Sequence, residues 1–121
     1  MISKVSSIDA LMLQIREDLT DLIEQGLEID ELAVSSSVRD LDISRGDDHI
    51  CLATVSGDPL NVQFLVGPYT FDNVPGSDSA EFVRALAEGR CRVSVGRSLL
   101  GRYDNLIVDL PSGTYRAARS V

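Results

Sequence analysis

Ile8, Leu11, Met12, Ile15, Leu19, Leu22 and Ile23 recur at helical spacing. At about 100° per residue they fall in one stripe roughly 120° wide. A β-strand cannot gather these positions on one face, so the chain must open with an amphipathic helix laid on an apolar surface. Ser6 followed by Asp9 approximates a capping box with Asp in place of Glu, and Gly26 after Gln25 supplies the stop. Glu17, Asp21 and Glu24 stand opposite the stripe, with Asp18 to one flank. Leu13 also points outward, near Glu17 and Glu24.

Beyond Gly26 the apolar period shortens to two. Leu27 and Ile29, then Leu32, Val34, Ser36 and Val38, then Leu41 and Ile43 form three runs. Their phase breaks predict a turn near Asp30 and a bulge near Arg39, in one long strand or two short ones. The next pair is cleaner. His49, Cys51, Ala53 and Val55 alternate along one strand, Ser56-Gly57-Asp58-Pro59 turns the chain, and Leu60, Val62, Phe64 and Val66 alternate along its return. Pairing Val55 with Leu60 puts all of these on one face and sets His49 opposite Val66 at the margin of the core.

Tyr69 to Gly76 reads as a loop or crossover that carries two aromatics. Asp78 with Glu81 opens a second, short helix whose inward residues are Val83, Leu86 and Ala87, and Gly89 ends it. A strand from Arg90 to Arg97, a turn over Gly101–Asn105, a strand from Leu106 to Leu110 and a Pro111-Ser112-Gly113 turn into Thr114–Arg119 follow. The order is α-β-β-β-α-β-β-β, and short hairpin turns favour antiparallel pairing. The expected fold class is α+β: a mainly antiparallel sheet with an N-terminal amphipathic helix and a second short helix.

A chain of 121 residues suits a single domain over 1–121, and 44% hydrophobic with 25% charged residues suits a folded core. With three Tyr, three Phe and no Trp, that core must be mostly Leu, Ile and Val. No apolar run reaches the roughly 18–20 residues that cross a bilayer, and the first residues lack a signal peptide's apolar stretch, so the expected location is the cytoplasm, away from membranes. Cys51 and Cys91 have neither a CxxC spacing nor a His pair beside them. They read as small strand hydrophobes, not zinc or redox ligands. A single disulfide between them would run against a reducing compartment.

Net charge is −8, unevenly spread: residues 1–60 hold four Lys and Arg against thirteen Asp and Glu, residues 61–121 seven Arg against six acids. Phosphate repels an acidic surface, so the expected partner is a basic protein, not a nucleic acid. The same acidity also serves solubility.

His49 is the only histidine, so any Cys–His nucleophile must use it. Cys51 lies two residues on, where strand geometry leaves about 6.5–7 Å, too long for a hydrogen bond. The acids Asp42, Asp47 and Asp48 lack the oxygen spacing of a calcium loop, and GxGxxG, GxxxxGK[ST] and GxSxG are all missing. No cofactor or metal is expected, and no catalytic residue. Arg90, Arg92 and Arg102 form a candidate anion site, because guanidinium forks take carboxylates in a bidentate grip. The alternative is a solvated strand face whose arginines discourage edge pairing. Tyr69 and Phe71 serve equally as interface anchors or as cover for the end of a core.

The leading expectation is therefore a non-enzymatic acidic protein-binding module, with Leu13, Glu17, Asp21, Glu24, Tyr69 and Phe71 as partner-binding candidates. In charge and size it resembles immunity proteins and antitoxins, and its element order resembles that of type III secretion chaperones. Such a resemblance implies an inhibitor or chaperone role. A small-molecule binder or minor enzyme with a pocket near His49, Tyr69 and the 90–102 segment is the second reading, and a homo-oligomer subunit, such as a homodimer, the third.

Overall fold

The computed structural model describes residues 7–99 and 101–119. The apolar stripe becomes α1 (Ser7–Asp18) and α2 (Thr20–Glu24). The break falls at Leu19, where the Thr20 hydroxyl donates to the carbonyls of Arg16 and Glu17. Such back-bonding competes with the helical ladder and bends it. Ile8, Met12, Ile15, Leu19 and Leu22 are buried, as their spacing requires, and Leu13 is exposed. Ser6, the expected cap, lies outside the described residues, and the Asp9 carboxylate accepts from Arg39 at 2.9 Å.

Five antiparallel strands then form a meander in sequence order: β1 (Leu27–Ala33), β2 (Arg39–Arg45), β3 (Asp48–Ser56), β4 (Asn61–Val66) and β5 (Tyr69–Pro75). Two expectations fail here. Asp30 sits inside β1, not at a turn, and the chain reverses between Ala33 and Arg39, where Val34 and Ser35 both donate to the Val38 carbonyl. The bulge falls at Ile43/Ser44, not near Arg39. A third expectation shifts by two residues. Val55 pairs with Val62, not Leu60, because the turn absorbs Leu60 and β4 starts at Asn61. An even shift preserves the faces, so Cys51, Ala53, Val55, Val62 and Phe64 still point inward together.

Tyr69 to Pro75 is a strand, where a loop was expected, and its alternation buries Tyr69, Phe71 and Val74. A bulge opposite Gln63 lets it stay in phase, with Asn73 as the residue at φ 59. One 3-10 turn (Gly76–Asp78) leads into α3 (Ser79–Ala87). This helix turns Ala80, Phe82, Val83 and Ala85 inward, whereas Leu86 and Ala87, expected inside, are half-buried. Phe82 stacks on Phe64 with centroids 4.2 Å apart and meets the edges of Phe71 and Tyr115 at 5.0 and 5.8 Å. Asp78 caps nothing with its side chain; it accepts instead from the Tyr115 hydroxyl at 2.6 Å.

A second antiparallel meander closes the chain: β6 (Cys91–Ser98), β7 (Gly101–Leu110) and β8 (Gly113–Ala118). The expected Gly101–Asn105 turn is strand, since Arg102, Tyr103 and Asp104 pair with Arg97, Gly96 and Val95. A bridge between Tyr69 and Arg119 joins the two sheets at β5 and β8. The molecule is thus α+β, with eight strands in two antiparallel sheets and its helices packed on their inner faces. The buried cluster runs from Ile8 of α1 through every strand but β6 to Ala117 of β8.

Candidate protein-binding face

The helix acids proposed as a partner surface are not all available. Glu17 and Glu24 are exposed, but both oxygens of Asp21 accept from Arg84 of α3, at 2.8 and 2.7 Å. That guanidinium also donates to the Asp18 carbonyl at 2.8 Å, at the C-terminal end of α1, where carbonyls lack intrahelical donors. The hydrogen bond from Arg84 holds the Asp21 carboxyl at about 2, well below its ordinary value. Asp21 therefore ties the helices together, and reversing it to Lys would break the fold's own ion pair.

Tyr69 and Phe71, offered as exposed anchors, are core residues at 6% and 3% exposure. Tyr69 also carries the Arg119 guanidinium 5.9 Å from its ring centre, and Arg119 is held by Asp104 at 2.9 Å. Of the two readings of this pair, interface anchor fails and cover for the core holds; the loop that the neighbouring Pro and Gly suggested is a strand.

The arginines do not converge. Arg90 pairs with Glu88 at 3.1 Å, and Arg92 pairs with Asp109, which also accepts from Thr114. Arg92 and Arg116 flank Ile107 from the neighbouring strands, and Ile107 is buried on the face turned away from the helices. The Arg92 stem thus covers an apolar residue, which is work for packing, not for anion capture. Arg102 lies at the opposite end of the hairpin, opposite Arg97.

His49 and Cys51 part company at the β2–β3 bulge. Cys51 points into the core, where burial pushes its thiol up to about 12. His49 turns outward and its Nε2 lies 3.0 Å from Asp42. It also borders a recess of about 570 Å³ with Asp48, Val66, Leu86 and Cys91, but the expected pairing of His49 with Val66 on one inward face fails, because the bulge turns His49 outward. Both cysteines are free thiols on strands. Among the described residues no three His, Cys, Asp or Glu side chains gather as a metal site.

One surface not anticipated from the sequence is the outer face of the five-stranded sheet. Cross-strand partners share a face. One row runs Asp30, Asp42, Leu52, Leu65, Thr70, and the next runs Leu32, Asp40, Thr54, Gln63. Asp72 joins it by accepting from Gln63 at 2.7 Å, and Asp40 accepts from Thr54 at 2.9 Å. Leu52 and Leu65 are directly opposed and exposed at the centre. Between Leu27 and Pro75 the only Lys or Arg are Arg39 and Arg45. Arg39 is held by Asp9 and Glu31, and Arg45 by Gln25, all on the helix side. The outer face thus presents Glu28, Asp30, Asp40, Asp42 and Asp72 around Leu52 and Leu65, with Leu32 also exposed on β1, and among the described residues no Lys or Arg of these five strands answers them. Asp30 and Asp42 even face one another across the ladder, an arrangement that costs stability. The signal was in the sequence: these are the polar alternates of the positions that predicted the core.

No family model, curated protein or solved structure matches this chain. No helix among the described residues is long and apolar enough to cross a membrane. The residues themselves must carry the functional argument.

Proposed function

We propose that this protein is a non-enzymatic, cytoplasmic protein-binding module that holds a basic partner on the outer face of its five-stranded sheet. The observation that carries the reading is the exposed Leu52–Leu65 pair ringed by Glu28, Asp30, Asp40, Asp42 and Asp72. Leucines supply area that gains from leaving water, and the carboxylates select a cationic rim and speed encounter. Opposed Asp30 and Asp42 give a partner lysine or arginine two carboxylates at one point. The His49 ring lies beside Asp42 at the margin of this face, with Nε2 3.0 Å from the carboxylate. Two free thiols suit a reducing compartment.

This moves the expected contact from the helix, where Leu13, Glu17 and Glu24 remain exposed, to the sheet. An inhibitor or chaperone role fits such a face, since both mask a basic surface on another protein. The test compares retention of proteins from a matched lysate by three immobilised forms at low and high salt: the native chain, Asp30→Lys/Asp42→Lys, and Glu17→Lys/Glu24→Lys. Basic proteins held at low salt should be lost with the sheet variant and kept with the helix variant. Equal loss from both variants, or no basic protein held by the native chain, defeats the proposal.

A further inference from the structure

The sheets end in two edges that are treated differently. At β1, Arg16 donates to the outward carbonyl of Ile29 at 2.8 Å and pairs with Glu31, so a side chain caps the strand's free hydrogen-bonding groups. At β6, the only hydrogen-bonded neighbour among the described residues is β7. The phase of that ladder follows from the Asp109 N–H donating to the Arg90 carbonyl. Arg92, Ser94 and Gly96 therefore bond to β7, and the N–H and C=O groups of Val93, Val95 and Arg97 point to the open edge. The Val93 and Val95 side chains are 54% and 51% exposed although they lie on the inner face, beside Leu106 and Asp104.

We propose that the β6 edge is a homodimer interface, formed by antiparallel pairing of β6 with β6 of a second copy about a two-fold axis at Ser94. Two further observations support this occupant and this register, beyond the open edge itself. First, the strand is compatible with its own reverse: Val93 then faces Val95 of the second copy, and Arg92 faces Gly96, so no arginine opposes another. Gly96 already has the Tyr103 ring across it, where a Cβ would lie 2.3 Å from the ring. An arriving Arg92 thus meets an aromatic, a contact suited to a guanidinium. Second, Arg97 of each copy comes opposite Cys91 of the other, at the recess lined by Asp48, Leu86 and Ala87. Glu88 and the carbonyl end of α3 lie at that end of the strand, so a cation arrives where negative charge is waiting. The paired edges make one sheet continuous across the axis, which is an isologous, closed assembly.

A single strand pair is small beside a standard interface of about 1,600 Å², so association is expected at about micromolar concentration. The interface differs from the acidic sheet face and stands or falls separately. Ser94 faces its own copy at a non-hydrogen-bonded position, where Cα atoms are about 4.5 Å apart, within disulfide range. In a Cys91→Ser background, Ser94→Cys under mild oxidation should give a covalent dimer. Light scattering of the native chain should show mass rising from one to two copies between about 1 µM and 1 mM. Val95→Pro removes one outward N–H and no bond to β7, so it should remain folded by circular dichroism and stay monomeric at 1 mM. A native chain monomeric at 1 mM overturns the proposal, as does a dimer that survives Val95→Pro or one that Ser94→Cys fails to cross-link.

Discussion

The two sheets obey one local rule and meet different fates. Both are antiparallel meanders with apolar residues at alternate positions. In the five-stranded sheet those positions lie under α1 and α3: Val55 and Val62 are 0% exposed and Phe64 1%. In the three-stranded sheet α3 covers β7, but β6 extends past it, and Val93 and Val95 keep about half their surface in water. An alternating pattern thus specifies a face, and the helix above decides whether that face is core or interface. The edges follow the same division, with β1 guarded by Arg16 and the outer edge of β6 unpaired among the described residues.

The sharpest way to break this contrast is to cut one apolar side chain from the core over the covered sheet and one from β6, and to compare urea unfolding of dilute protein. Phe82→Ala removes the ring that Phe64, Phe71 and Tyr115 all touch, and should cost about 3–5 kcal/mol. Val93→Ala should cost less than about 0.5 kcal/mol, since most of what it buries is never dry. Similar losses at both sites would show that β6 is covered after all.

Next in size is the edge guard. Arg16→Ala strips the cap from Ile29 and the partner from Glu31, and should cost about 1 kcal/mol, because the arginine is partly exposed. Amide exchange should speed up in β1 and stay unchanged in β6. Unaltered β1 exchange would mean that Arg16 guards nothing.

How much of this was legible in the sequence depends on what each signal measures. The helix stripe and the Cys51–Val66 hairpin could be read because period reports faces directly, and a register error of two residues leaves faces intact. Tyr69 and Phe71 were misplaced because Gly67 and Pro68 mark a turn without saying that a strand resumes immediately. Asp21 looked free because its partner Arg84 is remote in sequence, and no local pattern shows a bond between helices. The outer acidic face was visible as polar alternates, but joining Asp30 to Asp42 and Leu52 to Leu65 required strand order and register.

A smaller effect tests the helix clamp above the covered sheet. The Asp21 carboxyl is held at about 2 by Arg84, against 3.8 ordinarily. Its ionised form therefore adds stability above about pH 4, and that contribution disappears as pH falls toward 2. Arg84→Met should return the Asp21 titration, followed by carboxyl-carbon NMR, to the ordinary range and flatten the acid limb of stability against pH. An unshifted titration would place the cause elsewhere than in the clamp.

The last effect, read at alkaline pH, separates the two thiols. Cys51 belongs to the covered sheet and Cys91 to the start of the open edge strand. Burial pushes Cys51 up to about 12 and raises Cys91 as well. A thiol whose folded value exceeds its unfolded one favours the unfolded chain once pH passes about 9, because only there does it ionise freely. Cys51→Val, close in volume, should therefore change neutral stability by less than about 1.5 kcal/mol yet remove part of the alkaline loss between pH 9 and 12. A disulfide reagent at pH 8 should modify Cys91 in the folded chain and reach Cys51 only at the rate of unfolding. If the proposed edge pairing forms, labelling of Cys91 should slow as concentration rises into the dimeric range while Cys51 keeps its rate, so one reagent reads out both the cover over the first sheet and the edge of the second.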